Sequence, residues 1–597
     1  MTSTVKPRPD GGARPAVRSP SDARAASELC VWAPHAGRVR IELASGQMDM
    51  QPRGNGWWTA PAPSAGADYA LLLDGGPSVP DPRSPWQPFG VHGPSRAVDH
   101  AAFPWTDRHW QAPPLESAIV YELHVGTFTP EGTFEAAVRH IPHLRDLGIT
   151  HVELMPVGEF PGDWNWGYDG VDIYAPHHAY GGPDGLKRLV DALHASGIAA
   201  ILDVVYNHLG PLGNYLARFG PYFTSRFHTP WGDAVNLSES GCAQVRRFFV
   251  DNALMWLRDY HFDGLRLDAV HAMVDPSATH FLEELANSVE QLQRETGRHL
   301  CLIAESDLND PRLLRSAESG GYGLDAQWSD DFHHALHTLL TGESSGYYTD
   351  FGSIGQLAKA ITNGYIYDGC YSRYRGRPHG RPLGSVSHSR LLGYLQSHDQ
   401  VGNRAAGERI SHLCSLDLVK IGAALVMTAP FIPMLFQGEE WGATTPFQYF
   451  TNHPDPDLGR AVSEGRQREF SDFGWPAADV PDPQDPETFL RSKLNWAEIA
   501  GAQHTELLDW YRALIAFRRQ TPALRSAPAE VSFDEAGRYL LMRRGDFVIA
   551  VNFSKAWRGV PFDSGAQVLD ASKPGIETLD KELRLPPESA AILRAPR

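Results

Sequence analysis

At 597 residues the chain exceeds what one hydrophobic core can organise, so roughly two to four domains are expected. With 42% hydrophobic and 21% charged residues it has the composition of a soluble globular protein, and a net charge of −18 argues against nucleic acid and anionic membranes as partners, since both demand a basic surface. Five scattered cysteines without C-x-x-C spacing argue against a disulfide framework and a cysteine zinc site. No signal peptide and no apolar run of transmembrane length is evident, which reads as a cytoplasmic protein. Sixteen Trp and twenty Tyr supply aromatic surface for stacking on flat faces such as sugar rings.

Residues 1–26 are rich in Pro, Ala, Ser and Arg without apolar periodicity and read as a disordered leader. Short alternating segments such as Arg38–Leu43 and Asp68–Leu73 follow, separated by Pro and Gly turns, which predicts an N-terminal β-sandwich over 27–104. Helical stripes then alternate with apolar strands across 105–524. Helix 133–147 ends at Gly148 before His151–Met155, and helix 184–196 ends at Gly197 before Ala199–Val205. Helix 243–260 precedes Gly264–Asp268, and helix 506–518 closes the series. With Ile119–Leu123, Leu300–Ala304, Leu324–Trp328, Leu392–Gln396 and Ile432–Phe436 the strands number eight, which fits a closed (β/α)8 TIM barrel in the α/β class. Residues 209–240 are too long and too aromatic for an ordinary βα loop and predict an inserted subdomain over the barrel mouth. Further insertions fall at 340–390 and 441–495, and short strands from 525 to 597 predict a C-terminal β-sandwich domain.

The chemistry concentrates at strand ends. In Gly264-Leu-Arg-Leu-Asp268 the leucines share one face, while Arg266 and Asp268 share the other. A cation two positions from a carboxylate keeps it ionised, as a carboxylate nucleophile requires. Asp203, Asp268, Glu305, Asp399 and Glu439 all fall at or just past C-terminal strand ends, the face on which barrel active sites form. No dinucleotide or P-loop glycine motif follows any strand.

Asp203-Val-Val-Tyr-Asn-His208, Gly264-Leu-Arg-Leu-Asp268, Ala304-Glu305 and Ser397-His-Asp399 resemble, in order, the four signature regions of the α-amylase family of glycoside hydrolases. Glu305-Ser-Asp-Leu-Asn-Asp-Pro311, Leu324 to His337 and His398-Asp-Gln-Val-Gly-Asn-Arg404 are similar to the maltooligosyl trehalose trehalohydrolase group of that family. Branching enzymes, close relatives, typically have Glu after the third carboxylate, where this chain has Gln400. The resemblance implies a retaining hydrolase acting on maltooligosyl trehalose and releasing trehalose, with maltooligosyl trehalose synthase as a pathway partner. It implies Asp268 as nucleophile, Glu305 as general acid and base, and Asp399 as the third carboxylate that bridges sugar hydroxyls. It further implies Asp203, His208, Arg266, His271, Asp330, Asp331, His333, His334, His398, Gln400 and Asn403 as substrate contacts. No cofactor and no metal are expected. Asn207 stands where calcium-dependent amylases place a ligand, but an accompanying acidic loop is not evident.

Overall fold

The computed structural model describes residues 28–472, 480–562 and 565–595, so the expected leader lies outside the described residues. Eight parallel strands close a barrel: β1 (Val120–Leu123), β2 (His151–Leu154), β3 (Ala199–Val204), β4 (Gly264–Leu267), β5 (Cys301–Ala304), β6 (Ala326–Trp328), β7 (Leu391–Tyr394) and β8 (Ile432–Phe436). The period-two pattern sorts their side chains into two layers inside. An apolar lower layer holds Val120, Ile201, Ile303, Leu392 and Ile432. One turn of the pleat higher come Glu122, Asp203 and Arg266, and register sets Asp203 beside Arg266 and Glu122 beside Glu153. Leu265 and Leu267 point the other way, into the packing under the helices. Gly264 is required because a Cβ there would lie 2.4 Å from Cys301 Sγ.

The outer helices are α1 (Ile141–Leu147), α2 (Gly182–Ala195), α3 (Cys242–Asp259), α4 (Phe281–Thr296), α5 (Asp330–Thr341), α6 (Leu416–Thr428) and α7 (Ala502–Gln520). The helix expected over 133–147 is two pieces, Phe134–Val138 and α1. Pro142 in the first turn of α1 has no N–H to continue the ladder and would clash with the carbonyl one turn back. Gly148, at φ 97°, then ends α1 in the left-handed region. Between β5 and β6 the described chain forms a 3-10 turn, Ala317–Ser319, in place of a helix.

Upstream of the barrel stand two antiparallel sheets, one of Glu28–Trp32, Gln51–Gly54 and Trp57–Pro61, the other of Val39–Leu43, Gly46–Asp49, Asp68–Leu73 and Ser95–Arg96. Downstream, a five-stranded and a three-stranded sheet span Ala529–Arg594. The downstream unit is fixed to the barrel through Arg544, whose buried guanidinium donates to the Thr428 and Leu524 carbonyls, the former the end of α6 where a cation suits the helix dipole.

The insertion after β3 is a short helix (Leu216–Phe219) and a hairpin (Phe223–Thr229 with Gly232–Val235). Its aromatic residues divide. Tyr222 is buried edge-on to Trp32 at 5.6 Å and Tyr215 meets His92 at 2.7 Å, so both dock the upstream sheets and connector and do not face the mouth. Trp231, at the hairpin tip, lies flat on His208 with centroids 4.4 Å apart.

Candidate active site

The centre of the mouth is Arg266, which is 2% exposed and lies over the Trp328 ring at 4.5 Å. Its Nη1 donates to both Asp203 oxygens (2.9 and 2.7 Å) and to Asp268 Oδ1 (2.8 Å), while Nη2 stands 3.7 Å from Glu305 Oε2. One guanidinium thus gathers three carboxyl groups, two of them from neighbouring strand ends. Asp268 also accepts from Asn207 Nδ2 on Oδ2 (2.7 Å), and the same amide donates to the Asp268 backbone carbonyl. Asn207, expected only as a possible ion ligand, is therefore the second clamp on Asp268.

The environments drive these carboxyl groups apart. Burial alone would raise Asp268, but Arg266, His208 and Asn207 outweigh it and hold its pKa below the ordinary value. Burial raises Glu305 well above the ordinary range; Asp268, Asp330 and Asp399 add to this, and Arg266 opposes it only in part. Asp203 is pushed up to about 6 by burial against the pull of Arg266, and so is ionised at neutral pH. A charged and a proton-bearing carboxyl group side by side are the division of labour that acid–base glycoside chemistry needs.

Backbone conformation contributes. Ala269, directly after Asp268, has φ 38°, a left-handed conformation that costs an alanine roughly 1–2 kcal/mol. That turn aims the Ala269 N–H at Glu305 Oε2, at 2.5 Å. This bond occupies Oε2, which also faces the guanidinium at 3.7 Å, so Oε1 is the oxygen turned from both donors.

Around this centre, Asn403 Nδ2 donates to Asp399 Oδ1 (2.5 Å) and is itself held by Arg466, which donates to Asn403 Oδ1 at 2.9 Å. His208 contacts the Tyr168 carbonyl oxygen through Nε2 (3.0 Å). Gln400 Oε1 accepts from the hydroxyls of Tyr347 and Tyr348, both at 3.4 Å. Tyr394 donates to Asp330 Oδ1 at 2.5 Å, and burial together with Asp307, Asp399 and Asp331 raises Asp330 to about 7 against that bond. His271 is exposed on the turn after β4, near enough to Asp307 to lower its pKa, although burial acts in the opposite direction.

Two expected contacts, Asp331 and His333, and the strand-end carboxylate Glu439 are turned into the protein. Asp331 is 3% exposed, and its Oδ2 accepts from Asn309 Nδ2 (2.7 Å) and from the backbone N–H groups of Ile366 (2.6 Å) and Tyr367 (2.9 Å). It ties the insertion after α5 to the barrel. Asp331→Ala would leave the two buried backbone N–H groups unpaired and Asn309 Nδ2 with only the Tyr367 carbonyl, a cost of about 3 kcal/mol, so a clear fall in Tm is expected, with thermal melting as the check. His333 is buried against Tyr394 (centroids 5.3 Å, 19°) and reaches the Tyr348 hydroxyl at 3.2 Å. Glu439 accepts from Tyr511 of α7 at 2.8 Å and so braces the barrel wall. His334 is half-buried behind Tyr347 and Tyr348, and burial lowers its pKa to about 3, which keeps it neutral.

The sequence reading missed Tyr168, whose hydroxyl donates to Asp203 Oδ2 (2.6 Å) and meets His398 Nε2 (2.9 Å), and Glu122, which holds the other side of His398. Tyr168 lies in the aperiodic loop Trp164-Asn-Trp-Gly-Tyr-Asp169, where its only signal was a cluster of aromatic residues just past a strand. Among the described residues, Glu159, His177 and His178 form a group whose ligating atoms lie within 4.8 Å of one another. His178 Nδ1 meets Glu159 at 2.7 Å, and His177 uses its two nitrogens on Gly162 O and Ala179 N, so hydrogen bonds account for the cluster. No helix among the described residues is long and apolar enough to cross a membrane.

The model of the alpha amylase catalytic domain matches residues 102–220, and that of a domain of unknown function (DUF3459) matches residues 524–592. The chain is 49% identical to the malto-oligosyltrehalose trehalohydrolase of Rhizobium sp. (strain M-11), over 97% of this chain and 100% of that protein. It is 51% identical to the enzyme of the same name from Arthrobacter ramosus, over 90% and 94%. A solved Salmonella typhimurium protein with a provisional alpha-amylase name superposes with a TM-score of 0.88 at 38% identity, over 96% of this chain and 98% of that one. With relatives this similar along nearly their whole length, the chain belongs to the malto-oligosyltrehalose trehalohydrolases of the alpha-amylase family of glycoside hydrolases.

Proposed function

We propose that the protein cleaves the α-1,4-glucosidic bond next to the terminal trehalose of maltooligosyl trehalose, with retention, releasing trehalose and a maltooligosaccharide. The observation that carries this reading is the pairing of Asp268, held ionised by Arg266 and Asn207, with Glu305, held protonated, at one barrel mouth. Asp268 attacks the anomeric carbon, Glu305 delivers its Oε1 proton to the leaving oxygen, and water then attacks the glycosyl-enzyme with Glu305 as base. Asp399, steadied by Asn403, binds sugar hydroxyls and favours the distorted ring of the transition state. Asp203 and Arg266 fix the charge of the nucleophile, His271 and Asp330 offer polar contacts around the mouth, and His208 and His398, with both ring nitrogens engaged inside the protein, brace its wall. Tyr347 and Gln400, backed by His334, suit the side that holds the non-reducing leaving disaccharide, a ligand with no free anomeric hydroxyl to recognise. A trehalose-forming synthase is the partner this substrate calls for upstream.

The second reading is a branching transglycosylase, which passes the same intermediate to a sugar 6-hydroxyl. Gln400, neutral where branching enzymes typically have Glu, disfavours it. Incubation with maltotriosyl trehalose should give trehalose and maltotriose, the newly released reducing end first appearing as the α-anomer. New α-1,6 linkages on amylose with no free trehalose would retire the hydrolase reading.

A further inference from the structure

His398 sits between two acceptors. On one side Nδ1 meets Glu122 Oε1 at 2.5 Å, and the backbone N–H of His398 donates to Glu122 Oε2 at 2.9 Å. On the other side Nε2 meets the Tyr168 hydroxyl at 2.9 Å, and that hydroxyl also lies 2.6 Å from Asp203 Oδ2. A phenol has one proton to give. Asp203 also accepts two contacts from Arg266 and is the stronger acceptor, so the phenol proton points to Asp203. The Tyr168 oxygen must then accept, and His398 Nε2 must carry a hydrogen. Glu122, already accepting the backbone N–H, requires a second hydrogen on Nδ1.

We propose that Glu122 is a positioning residue that holds His398 as a doubly protonated imidazolium, so that a charge-assisted donor faces Tyr168 and the barrel mouth. Three aromatic rings surround the imidazole: Tyr168 lies nearly parallel at 5.1 Å, Trp166 is perpendicular at 5.5 Å and Trp328 stands at 6.0 Å. The charged and titratable groups facing it are Glu122 from β1, Asp203 from β3, Arg266 from β4 and its own neighbour Asp399, with neutral His124 beyond. Glu153, the cross-strand neighbour of Glu122, is pushed far up by burial and by the Glu122 charge. Burial works against a charged His398, yet Glu122 outweighs it and raises the pKa above the ordinary value.

Replacing Glu122 by Gln keeps the shape and removes the counter-ion, so burial is no longer outweighed and the imidazole loses its proton as pH rises between 5 and 8, where the wild-type ring keeps it and its charge-assisted bond. With maltotriosyl trehalose as substrate, the ratio of wild-type to Glu122→Gln kcat/KM should grow about ten-fold between pH 5 and pH 8, and Glu122→Asp, which keeps the charge, should flatten it again. A ratio independent of pH overturns the proposal. The kinetic arm rests on the reading of this mouth as the active site, but a second measurement does not. In 15N-histidine NMR of the wild-type protein without substrate, the signal lost in His398→Gln should show both nitrogens protonated at pH 7.5. A neutral tautomer there overturns the proposal whether or not the Glu122→Gln variant folds.

Discussion

Asp268→Asn is expected to lower kcat/KM on maltotriosyl trehalose by roughly 10³-fold or more, which is about 4 kcal/mol of transition-state stabilisation. The amide cannot form the glycosyl ester. It also disturbs the clamp. In the native site Oδ1 accepts from Arg266 and Oδ2 from Asn207, so an amide nitrogen in either place sets donor against donor. The fold should survive, because the loss is confined to the mouth while Asp203 still pairs with Arg266 through two oxygens. A circular-dichroism spectrum and a Tm close to wild type, with activity gone, is the expected pair of results. Turnover within a few-fold of wild type would remove Asp268 from the nucleophile role.

Glu305→Gln should cost a similar amount on the natural substrate, but its signature differs. Given a substrate with a good leaving group, such as a glycosyl fluoride, the variant needs no proton for the first step, so that step should recover to near the wild-type rate. The second step lacks its base and becomes limiting, and added azide, a nucleophile that needs no base, should relieve it and yield a retained glycosyl azide. The pH profile provides the sign. The wild-type enzyme needs Glu305 protonated, so activity is present below its raised pKa and lost as pH rises through it. It needs Asp268 ionised, so activity is lost as pH falls through the lowered pKa of that group. The alkaline limb should therefore vanish in Glu305→Gln on the activated substrate, while the acid limb stays.

The chain's local patterns determined which face each strand presents. Alternation in Leu265-Arg-Leu-Asp268 was enough to send Arg266 inward, because a pleated strand offers its residues only two directions. Gly148 and Gly197 ended their helices as expected, since only glycine enters the left-handed region without cost. Helical spacing on α5 separates its polar residues in the same way: Asp330 and His334, four apart, share a face toward the mouth, while Asp331 lies a step round the helix and binds the backbone of 366 and 367.

What the tertiary structure alone decided are contacts between residues far apart in sequence. Glu122 meets His398 across 276 positions, and Tyr168 joins His398 to Asp203 across 230 and 35. No local period encodes such a meeting; barrel closure, which sets β8 beside β1, brings the ends of the barrel sequence together. The aromatic insertion makes the same point in reverse. Composition marked the aromatic residues of 209–240 alike as a cover for the mouth, but only the packed structure sent Tyr215 and Tyr222 against the upstream sheets and connector and left Trp231 on His208. An aromatic ring gains as much by burying against protein as against sugar, so its partner is fixed by which surface the fold brings within reach.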